Sequence, residues 1–145
     1  MSDIYNQLVT AINRGDKKTE RQLVAAYFVS DYYTLSNKED GKIGGIDYFY
    51  ADKKDDFTAY AQNEYYKKNQ SYVSLPEVVR YDILSNTSSY KALSGLEDYS
   101  YYDVEVQITF KENNPILNAT QYITTVTLIE KDQKFSVIAM ESDNG

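Results

Sequence analysis

Thr19–Leu35, TERQLVAAYFVSDYYTL, is the stretch whose reading decides the fold. Leu23, Val24, Tyr27, Phe28 and Leu35 recur mostly at three- and four-residue intervals, which lays an apolar stripe along a helix. Thr19 suits the N-cap, and Glu20 puts a carboxylate in the first turn, where the helix dipole favours it. Asn37 and Gly41 follow the expected end. Such a stripe must be covered, and the chain supplies its cover much later, as strands.

On the N-terminal side, Asp3 to Asn13 reads as a shorter helix with Ile4, Leu8, Ala11 and Ile12 on one side. Arg14-Gly15-Asp16 breaks it. The tripeptide has the letters of an integrin ligand, but at a helix–helix joint it reads as a C-terminal glycine and a polar turn. On the C-terminal side, Ser36 to Gly45 is a polar loop with three glycines. It lacks the Lys-Ser/Thr ending of a phosphate loop and reads as a flexible connection. Ile46 to Tyr50, IDYFY, is either a short strand or an aromatic anchor folding back onto the helices. Asp55 or Asp56 can cap a third helix from Phe57 to Lys68, with Phe57, Tyr60, Ala61, Glu64 and Tyr65 on one side.

After Leu75-Pro76 the period changes from helical to alternating. Val78 to Ser85 is a strand candidate, and Asn86 to Gly95 a polar connection that Leu93 and Leu96 dock. Tyr101 to Lys111 is the clearest strand: Tyr102, Val104, Val106, Ile108 and Phe110 point one way, and Tyr101, Asp103, Glu105, Gln107 and Thr109 the other. That alternation predicts one buried and one wet face. Asn113-Asn114-Pro115 is a turn, Ala119 to Glu130 a strand, Lys131-Asp132-Gln133 a hairpin turn, and Lys134 to Glu141 the last strand. Helices first and strands after predict an α+β fold in a single domain, 1–145, with N-terminal helices packed on a curved antiparallel sheet of about four strands.

Composition narrows the chemistry. The chain of 145 residues carries a net charge of −7, which repels phosphate backbones, so no direct nucleic-acid binding is expected. There is no cysteine and no histidine. Disulfides, thiolate zinc sites and Ser-His or Cys-His nucleophiles are excluded. Asp52, Asp55 and Asp56 cluster, as do Glu39 and Asp40, but without the glycine and terminal glutamate of a calcium loop. No catalytic, cofactor or metal residues are expected, and Lys17-Lys18 and Lys67-Lys68 read as solvated helix ends. The outlier is tyrosine, 16 against 5 Phe and no Trp, which implies a wet-edged core or an adhesive surface. No apolar run is long enough to cross a bilayer.

The helix-then-meander order resembles the nuclear transport factor 2-like, cystatin-like fold, whose cone-shaped sheet wraps a long helix. Within it, Ala25 to Gly41 and Tyr99 to Phe110 resemble Gram-positive conjugation proteins that are counterparts of the eighth VirB component of type IV secretion systems. In that family a helix ending like Phe28 to Leu35 precedes a glycine-bearing loop. The resemblance implies a non-catalytic assembly domain on the extracytoplasmic side of the cell membrane. It would be excised from a longer protein anchored through a segment absent from this chain. It would act with other secretion-channel proteins and self-associate as a dimer or trimer. Tyr48, Phe49, Tyr50, Tyr99 and Tyr101 are the candidate interface. The alternatives are a cell-envelope sensor or lipoprotein domain, and a ligand-binding or isomerase- or dehydratase-like cone cavity. Asp31 would be the cavity's base, with Tyr81 and Asp103 as further candidates, because burial in an apolar pocket raises a carboxylate's pKa.

Overall fold

A computed structural model describes residues 2–38, 42–66 and 75–142. Helix α1 spans Ser2–Arg14 and α2 Lys17–Tyr33. Their joint is set by two residues. Gly15 adopts φ +68°, a left-handed conformation that ends α1 at little cost. Asp16, not Thr19, then caps α2: the Thr19 N–H donates to Asp16 Oδ1 at 3.2 Å. The Arg-Gly-Asp tripeptide therefore forms the joint between two helices. α1 packs along α2 through Ile4, Leu8 and Ala11. Ile12, expected on that side, is exposed instead.

α2 is buried well beyond its predicted stripe. Leu23, Val24, Phe28 and Leu35 are buried as expected, but so are Ala25, Ala26, Val29, Tyr32 and Tyr33, while Tyr27 is half-buried. A helix enclosed on all sides has neighbours on all sides. On one side lie strands β1 (Val78–Ser88), β2 (Ser100–Asn114), β3 (Ala119–Lys131) and β4 (Lys134–Ser142), antiparallel and in chain order across one sheet. Val104, Val106, Ile108 and Phe110 of β2 face the helix, with Val126, Leu128, Phe135 and Val137 from β3 and β4. Each such side chain contributes about 1.5–3 kcal/mol by leaving water. Asp132 and Gln133 take φ of 54° and 67° in the two-residue turn between β3 and β4, as a tight hairpin requires.

The expected curved, cone-shaped sheet is corrected: the sheet lies open and uncurled, with β1 and β4 as its edges, and does not have the nuclear transport factor 2-like form. The reason is visible on the far side of α2. There the cover comes from the segment between Ile43 and Tyr66, so the helix does not need a sheet rolled around it. Ile46–Tyr48 is a single helical turn and not a strand; Phe49 then bridges to Val137, and its ring stacks on Phe57 with centroids 4.1 Å apart. Both rings meet Phe28. Helix α3 spans Lys54–Ala61 and runs into a π-helical turn, Gln62–Tyr66. It starts before Asp55 and Asp56, which sit in its first turn without capping it. Phe57, Ala61 and Tyr65 face inward, whereas Tyr60 and Glu64 are exposed.

Two boundaries also move. β1 runs on to Ser88, and β2 runs through Asn113 to Asn114, so that turn comes later. The buried Asn114 side chain organises it, accepting from Ile116 N at 2.9 Å and Leu117 N at 3.2 Å. Glu39, Asp40, Gly41 and Lys67-Lys68, named above for a loop, a cluster and helix ends, lie outside the described residues.

Candidate functional site

The candidate cavity residues are each engaged in local contacts of their own. Asp31 accepts from Lys38 Nζ at 2.8 Å through one carboxylate oxygen and from Gly45 N at 2.7 Å through the other. It is a latch for the loop after α2. Gly44 lies so close against the α2 backbone that any Cβ would overlap Asp31 O, and its N–H donates to Tyr66 Oη at 2.8 Å. The described part of that loop is therefore anchored, where the sequence suggests a flexible connection. Asp103 lies on the other sheet face, accepting from Thr127 Oγ1 at 2.7 Å. Tyr81 is half-buried on the helix-facing side of β1, opposite Ile108, and burial raises its phenol pKa.

Under α2 the space is occupied by tyrosines. Tyr65 Oη donates to Tyr33 O at 2.8 Å and accepts from Asn114 Nδ2 at 2.8 Å; Tyr66 Oη donates to Tyr32 O. Burial holds the Tyr32, Tyr33, Tyr65 and Tyr66 phenols far above their ordinary value of 10. A hydroxyl that has exchanged water for a fixed acceptor can stay inside at low cost, which is how a core this rich in tyrosine forms.

The five candidate interface residues do not form one surface. Phe49 and Tyr101 are buried. Tyr101 belongs to the polar face of β2, yet the loop before the strand folds over it: Tyr101 Oη donates to Leu96 O at 2.9 Å and accepts from Leu93 N at 3.2 Å. Tyr50 and Tyr99 flank Lys131, whose Nζ lies 5.9 and 5.5 Å from their ring centroids. Tyr48 is half-buried beside α2, edge-to-face with Tyr27 at 5.4 Å.

The surface that sequence reasoning missed is on α1. Tyr5, Val9 and Ile12 are 55%, 39% and 51% exposed. They repeat the four-then-three spacing of Ile4, Leu8 and Ala11 one position later, and so form a second apolar stripe beside the buried one. The signal was present: six apolar positions on α1 are more than one helix contact can cover. The Tyr48 phenol pKa is raised first by burial and then by the Tyr5 phenol.

The opposite flank of α1 borders a groove against the edge of β1, about 280 Å³ in volume, with Asp3, Ile4 and Gln7 on one side and residues 78–81 on the other. Ser30 of α2 also lines it. A second recess of about 350 Å³ continues from Gln7 along α1 to Thr10 and Arg14. Among the described residues no group of three or more acidic side chains is placed to hold a metal ion, and no helix is long and apolar enough to cross a membrane.

The family resemblance read from Ala25 to Gly41 and Tyr99 to Phe110 is withdrawn as well. Those phrases are explained by packing, since Phe28, Tyr32, Tyr33 and Tyr101 are spaced to fill a core and its rim, a demand common to many unrelated chains. No family model, no curated protein and no solved structure matches this chain.

Proposed function

We propose that this chain acts by protein contact, without chemistry of its own, and that its first partner is a second copy of itself bound through the α1 stripe. The carrying observation is the exposed Tyr5–Val9–Ile12 row. Two copies that each carry −7 repel one another, so they associate best through a surface free of charge. The row contains no charged residue, and it is self-complementary. About a two-fold axis near Val9, antiparallel helices would set Tyr5 of one copy against Ile12 of the other, with opposed dipoles. The size sets the strength. Side chains of these kinds offer roughly 300 Å² per copy, well below the roughly 800 Å² per partner of a standard stable interface. The dimer is weak and concentration-dependent.

Sedimentation velocity over a wide concentration range tests this. A monomer–dimer equilibrium is expected, and Val9→Arg, which sets two like charges across the axis, should abolish it while leaving the circular dichroism spectrum unchanged. A monomer at every concentration, or a dimer indifferent to Val9→Arg, overturns the proposal.

A further inference from the structure

The two edges of the sheet differ. The β4 edge is met at Val137 from within the chain, where Phe49 forms a bridge and Tyr50 N donates to Val137 O at 2.7 Å. β1 pairs only with β2, and among the described residues the sheet ends there. Val79 and Leu84 stand exposed on it. They coincide with the two slips in the β1–β2 register, between Val78 and Arg80 and between Ile83 and Ser85, which leaves residues 80–83 as a regular run. Among the described residues, 80–83 have no main-chain pairing on the side away from β2, and an unpaired row of N–H and C=O groups can pair with another strand.

The wall beside that edge is α1, and the groove between them has an unusual floor. Ser30 is 2% exposed, and its hydroxyl has no hydrogen-bond partner among the described residues. A buried hydroxyl in that state is unfavourable, and an incoming polar group would relieve it. The charges are also unbalanced. Arg80 is drawn onto Asp82 at 3.5 Å. Asp3 has no ion-pair partner among the described residues, and it sits on a strongly acidic chain.

A helix standing along a free sheet edge is the arrangement in which extended peptides dock as added strands. Main-chain hydrogen bonds supply affinity, and alternate side chains enter the groove. We propose that the β1–α1 groove binds an extended peptide carrying a basic residue, which pairs with residues 80–83 as a fifth strand and sets its basic side chain against Asp3. The recess running from Gln7 to Arg14 would receive the rest of the peptide. The site is separate from the self-association stripe, which lies on the other flank of α1.

The test begins with selection of linear peptides from a random phage-displayed library on the full chain. Affinity of the selected peptides is then read by fluorescence anisotropy, and their location by amide hydrogen exchange. The proposal expects peptides enriched in Lys or Arg, with slowed exchange in residues 79–84. It expects weakening of about tenfold or more when alternate peptide amides are N-methylated, since each methyl group removes a main-chain bond. Asp3→Lys, at an exposed position, should weaken binding about three- to tenfold at low salt and by less at high salt. Failure to select any peptide overturns the proposal, as does protection confined to Tyr5–Ile12 or indifference to N-methylation. So does a dimer paired β1 to β1, which would show protection in residues 79–84 without added peptide.

Discussion

α1 and α2 are neighbouring helices of similar length, and they have opposite relations to the rest of the chain. α2 touches α1, all four strands and the aromatic segment after Ile43, and from Leu23 to Tyr33 every residue but Tyr27 and Asp31 is buried. α1 touches chiefly α2, hides Ile4, Leu8 and Ala11, and shows Tyr5, Val9 and Ile12 to solvent. Both helices are rich in apolar side chains. What separates them is the number of neighbours each finds, so α2 sits at the centre of the core and α1 keeps an apolar row in solvent.

The sharpest way to break this contrast is to truncate one side chain on each helix. Phe28→Ala, at the meeting point of Phe49, Phe57 and Tyr32, should cost about 3–5 kcal/mol in urea unfolding. Ile12→Ala should stay within about 0.5 kcal/mol. If the two costs come out alike, the division of labour is wrong.

Next in size is Gly44→Ala. The added methyl group meets the α2 backbone at Asp31 O, which cannot step aside as a flexible side chain would. A loss of about 1–3 kcal/mol or more is expected, and parent-like stability would show that the loop is not seated on α2.

A subtler effect is seen only at high pH. The Tyr32, Tyr33, Tyr65 and Tyr66 phenols have folded-state pKa values raised by burial above 10, the value the unfolded chain regains. A proton held more tightly when folded gives stability that is complete below pH 10 and is lost as pH rises beyond it. Thermal melting should therefore fall steeply above pH 10, with ultraviolet phenolate absorbance appearing in step with unfolding. Ionisation of these four rings ahead of unfolding would mean the tyrosine layer is open to water.

The smallest expected effect lies at the α2 N-terminus. Hydrogen bonds from the Thr19 side chain and backbone hold the Asp16 carboxyl below its ordinary 3.8. Its contribution is present above that value and fades as pH falls through the lowered folded pKa. Asp16→Asn should flatten the acid limb of the melting curve slightly. An unaltered limb would remove Asp16 as the cap.

Much of the frame was legible because it repeats locally. The alternation from Tyr102 to Phe110 was readable as a strand with one buried face, and Val104, Val106, Ile108 and Phe110 are buried on that face. Asp132 and Gln133 stand in the turn that their polarity announced. The candidate sites were much less legible. Tyr101 has the parity of a wet-face residue, yet Leu93 and Leu96 from a preceding loop bury it. Asp31 has the spacing of a helix-borne base, yet a lysine seven residues on and a glycine amide fourteen residues on occupy its oxygens. Both outcomes depend on where a loop returns, and neither periodicity nor composition carries that information.

By itself, then, the amino-acid sequence determined the order of elements, the antiparallel pairing across the last two turns, the apolar face of β2 and the exclusion of histidine and cysteine chemistry. These follow from short-range sterics, the pleat and the residue inventory. On β4 the expected face of Phe135, Val137 and Ala139 breaks at a slip in register beside Ile138, which leaves Ala139 exposed and packs Met140 against the core. Only the tertiary structure decided that the sheet stays open, that Phe49 and Phe57 close the far side of α2, and that Phe49 and Tyr50 reach the β4 edge at Val137 while, among the described residues, β1 pairs only with β2. Those outcomes turn on which distant segments reach a surface and fill it, and no short-range pattern carries that information.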